Sequence, residues 1–375
     1  MSNPLTTPTI TRRRMLQFTA AGVAMSAIGV NTRAFAQDGG AVRWVSPRGS
    51  LEVVDDFGYW VAKRMGYFGD LETSVEAGPQ DATAAIKLVD QNQADFGYPS
   101  PGVLSLGLEQ GMKLKSVFHI MAGDVFDFAF QKGKAPADLK GMEGMTIVLG
   151  SAGWQSIADP MLAAAGVDLS TIKYVEVAAW AQSLAQGQAD AALTWEGLRA
   201  QWRGQGFDFD YLLGKNASVF PANSFVVRAS DLEDPALKDL YTRYLRGWAM
   251  GLEFGWLNPA AATQIAMDEF PGLGTQMDPE TAVESLMQQS GLMHAHWDKR
   301  GKWGLHLEDS WQTYFDAIHE IGQISQPLVA SEVVTNELID GANDFDQAKV
   351  KADAEAFELR DEYKAVDIAA IEATL

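Results

Sequence analysis

The chain has 375 residues, with 49 acidic side chains against 29 basic ones and no cysteine. That length accommodates two or three domains with proper cores, and 47% hydrophobic with 21% charged residues excludes wholesale disorder. A net charge of −20 argues against a nucleic-acid partner, and the lack of cysteine excludes disulfides, thiolate metal sites, iron–sulfur clusters and a lipid anchor.

The acidity is uneven. Residues 1–36 hold Arg12, Arg13, Arg14 and Arg33 and no acid, so the remaining 339 residues carry 25 basic and 49 acidic groups. Thr11 to Phe18 reads Thr-Arg-Arg-Arg-Met-Leu-Gln-Phe, a mildly apolar run reaches Val30, and Ala34-Phe35-Ala36 closes the segment. A basic region, a short apolar region and a small-x-small site make a secretory signal cleaved after Ala36. The paired arginines resemble a twin-arginine signal, which exports folded proteins to the periplasm. The apolar run is too short, at about 16 residues against roughly 20, for a transmembrane anchor.

From Ala41 strands and helices alternate. Strands are predicted at Val42–Val45, Thr73–Glu76, Ala94–Tyr98 and Leu114–Met121, with helices at Gly58–Met65 and Ala82–Asp90. The pattern then recurs: a strand at Thr146–Leu149, the turn Gly150–Ser156, a helix to Gly166, a strand at Tyr174–Val177, a helix to Gly187 and the strand Gln188–Leu193. Gly66 and Gly166 are 100 residues apart, and the triplets Gln93-Ala94-Asp95 and Gln188-Ala189-Asp190 are 95 apart. Two echoes in register predict a pair of similar α/β lobes built on parallel sheets, with chain crossings near Ala122–Gln131 and Phe220–Arg228. Amphipathic helices follow at Pro235–Leu257, Pro259–Phe270, Pro279–Gln289 and Asp309–Ile321, several with proline in the first turn. Asp346–Tyr363 reads as a charged, peripheral helix. The expected organisation is a signal over 1–36, lobe one over 37–125, lobe two over 126–225, and a return to lobe one with a helical C-terminal tail over 226–375.

The stretch Val61-Ala62-Lys63-Arg64-Met65-Gly66-Tyr67-Phe68 resembles the "VAxxxGYF" of the periplasmic solute-binding proteins of the sulfonate, nitrate and thiamine-precursor group, the NMT1/THI5-like family. Gln93–Gly97, the Gly150–Ser156 turn, Leu162–Val167, Thr335–Asp340 and Asp190–Glu196 (family "DAxxxWEP") carry the same resemblance. It implies a bilobal periplasmic-binding-protein fold that closes on a small molecule and delivers it to the permease and ATPase subunits of an ABC importer. Two positions depart from the pattern. Asp56-Phe57-Gly58 stands where the family often has His-Ala-Pro, and Gly197 replaces the proline after Trp195-Glu196.

Ligand contacts are expected on the loops that follow strands, because ligands of open α/β sheets sit beyond the carboxyl ends of the strands. In lobe one the candidates are Asp56, Phe57, Tyr98 and Ser100, with Ser46, Arg48 and Asp55 beside them. In lobe two they are Ser151, Trp154, Gln155, Trp195 and Glu196, and Asn223 stands at the second crossing. Asp56 is equally a helix N-cap, and Arg48 either anchors an anion or stays solvated. Carboxylates outnumber cations in these loops, counting Asp124 and Asp127, and tryptophan favours flat or cationic ligands. The favoured ligand is therefore a neutral or amine-bearing aromatic heterocycle, such as a thiamine-precursor pyrimidine. A sulfonate, nitrate or carboxylate is the alternative.

An enzyme is not expected. The pyrimidine-synthase branch of the family relies on a cysteine-rich iron site, and this chain lacks cysteine, a Gly-x-Ser-x-Gly elbow and H-E-x-x-H. His294-Ala295-His296 with Asp298 has some metal-ligand character but reads as a hydrated loop. No cofactor or metal is expected. The expected partners are the small ligand, the importer subunits and the twin-arginine export machinery, with the chain a monomer. A ligand-presenting lobe for a membrane sensor is a further alternative.

Overall fold

The computed structural model describes residues 40–79 and 82–375, so the segment predicted to be a signal and its predicted cleavage site lie outside the described residues. Ten strands form two five-stranded sheets. The first sheet takes β1 (Ala41–Val45), β2 (Glu72–Glu76), β3 (Phe96–Gly97), β4 (Leu114–His119) and β10 (Ser224–Arg228) in the order β2-β1-β3-β10-β4. The second takes β5 (Phe126–Gln131), β6 (Thr146–Leu149), β7 (Lys173–Glu176), β8 (Ala191–Trp195) and β9 (Phe209–Leu212) in the order β7-β6-β8-β5-β9. The two orders are the same, with β1, β2, β3, β10 and β4 matching β6, β7, β8, β5 and β9. The sequence echo therefore marks a repeated topology.

Neither sheet is purely parallel as the alternation predicts. β1 pairs parallel with β2 and β3, but β10 runs antiparallel to β3 and β4. Likewise β5 runs antiparallel to β8 and β9. The reason lies in the crossings: β5 and β10 are the first strands after each passage, and they enter the sheet against its direction. The passages themselves lie earlier in the chain than the predicted segments, at Ile120–Val125 and Leu213–Asn223. Phe126, Phe128 and Phe130 repeat at period two, the strand signal in what looked like a crossing.

In lobe one, α1 (Phe57–Met65), α2 (Ala82–Asp90) and α3 (Pro101–Glu109) flank the sheet. Gly66 ends α1 in the left-handed region at φ 73°, as its sequence position predicts. α3 is unforeseen: Ser100, read as loop, caps it by accepting from Val103 N–H at 3.3 Å, and Pro101 opens its first turn. In lobe two, α4 (Gln155–Ala164), α5 (Trp180–Ala185), α6 (Leu198–Gly204) and α7 (Gly214–Ala217) do the flanking. The C-terminal third supplies α8 (Pro235–Leu257), α9 (Pro259–Glu269), α10 (Pro279–Met293), α11 (Trp297–Arg300) and α12 (Glu308–Glu320), followed by short helices.

The core of lobe one is aromatic. Trp44, Phe225 and Trp248 are buried together, with ring centroids 4.8–5.7 Å apart. Each such pair contributes about 0.5–1.5 kcal/mol beyond burial. α8 crosses α1 at a glycine, since a Cβ on Gly251 would meet the Gly58 carbonyl oxygen at 2.0 Å. The tail differs from the single peripheral helix expected over Asp346–Tyr363. It breaks into helices at Gln347–Ala356 and Asp361–Lys364, and Val350, Ala354 and Tyr363 are buried. No helix among the described residues is long and apolar enough to cross a membrane.

Candidate functional site

A cavity with about 810 Å³ of space between its walls, open mouth included, lies between the two sheets. Five of the ten sequence candidates line it: Tyr98, Ser100, Trp154, Trp195 and Asn223. Arg48 and Asp55, considered beside them, line it too. All sit where a strand gives way to a loop or at a passage between lobes, which is why strand ends pointed to them.

The other five candidates stand elsewhere. Asp56 is 2% exposed beneath the cavity wall and pairs with Arg48. Its side chain caps nothing; its backbone carbonyl receives the first N–H groups of α1, from Tyr59 and Trp60. Phe57 is turned into the lobe-one core, where Gly255 leaves room for its ring. Ser151 is buried at the start of its turn and its carbonyl accepts from Trp154 N–H at 3.0 Å. Gln155 is exposed and donates to Asp159 on its own helix. Glu196 is fully buried and paired with Arg199 and Lys215 within lobe two.

The lobe-one wall carries charge that is neutralised internally. The Arg48 guanidinium pairs with Asp56 and, at 3.7 Å, with Asp55. Despite burial, which opposes its charge, these carboxylates hold the Arg48 pKa above the ordinary arginine value. Burial pushes the Asp56 carboxyl up, against the pull of Arg48, and also raises the Tyr98 phenol. Among the described residues, Arg48 is the only basic one lining the cavity.

The lobe-two wall is aromatic. Trp154 meets Trp195 edge-on with centroids 5.6 Å apart, and Trp180 joins both at 5.6 and 6.2 Å. Trp195 Nε1 donates to Asp55 Oδ2 at 3.0 Å, so the two walls are bonded to each other. Trp180, the first residue of α5, stands behind this wall and carries no motif that marks it in the sequence.

Six buried polar atoms on residues at the cavity have no hydrogen-bond partner among the described residues: Arg48 Nε and Nη2 (the latter in the ion pair with Asp56), Tyr98 Oη, Thr194 Oγ1, Asn223 Oδ1 and Gln289 Oε1. An unmet buried group costs about 1–3 kcal/mol, so these atoms suit a polar ligand. Thr194 and Gln289 were missed. Thr194 immediately precedes the chosen Trp195, whereas Gln289 reaches Asp55 across 234 residues and gives no local signal.

At the passages, Asp124 accepts from Phe126 N–H at 3.1 Å, and burial pushes its carboxyl up to about 7 against bonds from Ser218 and Phe126. Asp127 accepts from Gly214 N–H at 2.8 Å and is raised well above the usual range by burial and then by Glu196. His294 is stacked between Trp256 and Trp297, with ring centroids 3.9 and 4.2 Å away. No group of three or more metal-binding side chains occurs among the described residues.

The family model described as NMT1/THI5 like matches residues 55–261. No curated protein matches the chain in sequence. Among solved structures, the chain is similar to a ligand-binding component of an ABC-type import system from Staphylococcus aureus, solved with zinc bound. Identity is 11%, coverage 80% of this chain and 98% of that one, and the TM-score 0.60. An alkanesulfonate-binding protein from Xanthomonas axonopodis pv. citri bound to MOPS matches at 11% identity, 79% and 98% coverage, and a TM-score of 0.60. A Candida albicans gene product with the generic periplasmic binding protein fold matches at 12% identity, 79% and 95% coverage, and a TM-score of 0.54. At these identities the likeness is one of fold, and it is the bilobal fold expected from the motifs.

Proposed function

The chain belongs to the NMT1/THI5-like family, and from that premise we propose that it is the substrate-binding component of an ABC importer, holding a neutral or amine-bearing aromatic heterocycle between its lobes. A thiamine-precursor pyrimidine is the leading candidate. The observation that carries this reading is the contrast between the walls. The one cation at the cavity is held by Asp55 and Asp56, while tryptophans form the opposite wall. An anion would have to draw Arg48 away from two carboxylates, at a cost of several kcal/mol. A flat ring meets Trp154 and Trp195 with no such cost.

In this reading Trp154 and Trp195 contact the ring, while Tyr98, Ser100 and Asn223 orient it. Asp56, Glu196, Phe57 and Ser151 support the walls from behind. The twin-arginine machinery exports the folded chain, cleavage after Ala36 frees it in the periplasm, and as a monomer it hands its ligand to the permease and ATPase subunits. The structural neighbour that binds alkanesulfonates favours the anion alternative, which Arg48 would have to serve by leaving its partners.

A thermal-shift screen of thiamine-precursor pyrimidines, aromatic amines, sulfonates, nitrate and aromatic carboxylates tests the proposal. A ligand at 100 times its Kd adds about 2.7 kcal/mol of stability. The expected result is a shift with amine-bearing heterocycles. Shifts confined to sulfonates or inorganic anions would overturn the proposed ligand class.

A further inference from the structure

The family match ends at residue 261, yet one residue lining the cavity, Gln289, comes from α10, beyond that limit. Resting on the solute-binding reading above, we propose that Gln289 on α10 is a specificity-determining residue, reading an N–H donor on the ligand through its Oε1.

The orientation of this amide is fixed by its surroundings. Gln289 is 1% exposed, and its Nε2 donates to Asp55 Oδ1 at 2.7 Å. A carboxylate only accepts, so the nitrogen must face Asp55 and the oxygen is left over. That oxygen is buried, has no partner among the described residues, and belongs to a side chain lining the cavity. Asn223 repeats the arrangement: its Nδ2 donates to the Tyr98 carbonyl at 3.1 Å, and its buried Oδ1 is left over. Two amide oxygens with settled orientations call for a ligand that brings hydrogen to them. A carbonyl or sulfonate oxygen in the same place would meet them with like partial charge.

The position of Gln289 is also held from lobe two. Gln288 Oε1 accepts from Gly197 N–H at 3.1 Å and from Ala200 N–H at 3.4 Å, and Ser285 Oγ donates to the Gly197 carbonyl at 2.9 Å. Gly197 has φ +97°, and a Cβ there would meet Gln289 Nε2 at 2.4 Å. The glycine that replaces the family's proline is therefore the residue over which Gln289 lies. A proline could supply neither the positive φ nor the N–H that Gln288 receives. Gly197 thus both leaves room for the Gln289 amide and supplies the N–H that Gln288 receives.

The test compares the full wild-type chain with Q289M, which keeps length and removes the amide, and Q288M, which weakens the α10 seam without removing Gln289. Tryptophan fluorescence titrations would use 4-amino-5-hydroxymethyl-2-methylpyrimidine, its 4-oxo counterpart and ethanesulfonate. Wild type is expected to bind the amino compound at least about tenfold more tightly than the oxo compound. Q289M should bring that ratio close to one, whereas Q288M should weaken both compounds alike and leave the ratio in place. An unchanged ratio in Q289M, or a wild type that binds the oxo compound as well as the amino one, would overturn the role of Gln289 and leave the solute-binding reading standing. Binding of ethanesulfonate alone, or of no probe, would overturn both the role and the proposed ligand class. The wild-type preference decides the matter even if Q289M does not fold.

Discussion

The two walls of the cavity solve opposite problems. The lobe-one wall holds three charged groups, the buried Asp56 and the half-buried Arg48 and Asp55, and neutralises them against one another. The lobe-two wall buries no charge at its face and presents Trp154 and Trp195, backed by Trp180. The difference teaches that charge count alone does not read a binding site. In the sequence Arg48 reads as an anion anchor or a solvated side chain, but in the fold it is paired with Asp55 and Asp56. What remains for a ligand is aromatic surface on one side and a few unmet polar atoms between.

Breaking the charged wall should have the largest effect. Arg48→Met leaves two carboxylates without their cation at a buried position, and a loss of about 3–5 kcal/mol is expected by urea denaturation at pH 7. A loss below about 1 kcal/mol would mean that Asp55 and Asp56 find relief elsewhere.

The passage joining the walls carries a pH dependence. Burial raises the Asp124 carboxyl to about 7 in the folded chain, against an ordinary value of 3.8. Between these values the folded chain holds a proton that the unfolded chain has lost. This group therefore adds stability as pH falls from about 7 towards 4, and its burial penalty is fully present above 7. Asp124→Asn should gain about 2–4 kcal/mol near pH 8 and nothing below pH 4. A stability difference that does not vary across that range would rule out this titration.

Breaking the aromatic wall should act on binding more than on folding. Trp195→Ala removes ring contacts with Trp154 and Trp180 and the N–H bond to Asp55. The compound giving the largest thermal shift should bind it at least about tenfold more weakly, or about 1.4 kcal/mol. Affinity within twofold of wild type would remove Trp195 from the site. The smallest effect is expected at Gln155, which is exposed and outside the walls. Gln155→Ala should change stability by less than about 0.5 kcal/mol, and a large loss of affinity there would show that the wall extends further than the cavity drawn above.

Much of the fold was legible because its signals are local. Ala82–Asp90 and Pro235–Leu257 match their predicted bounds, the latter opened by proline and capped by Asp234. The repeat was visible because glycine stops helices at equivalent places in both lobes. Where prediction failed, a local signal was misread or absent. Pro99-Ser100-Pro101 looked like loop, although Ser100 and Pro101 are a cap and first turn, because Gly102 and Gly107 weaken the helical pattern after them. The site was half legible for a related reason. Strand ends pointed to Tyr98, Trp154 and Trp195, but only packing decides that Phe57 turns into the core and that Gln289 arrives from a helix far along the chain.

The strand order has a consequence for how the chain comes together as it is synthesised. The second sheet is complete within Phe126–Leu212, an uninterrupted stretch, and can assemble as soon as that stretch is made. The first sheet cannot, because β10 lies between β3 and β4 and is made more than 100 residues after them. Until Arg228 has emerged, lobe one holds a gap in the middle of its sheet, with two unpaired strand edges facing each other. The lobe that begins first must finish last, and its exposed edges are where a stalled or truncated chain would aggregate.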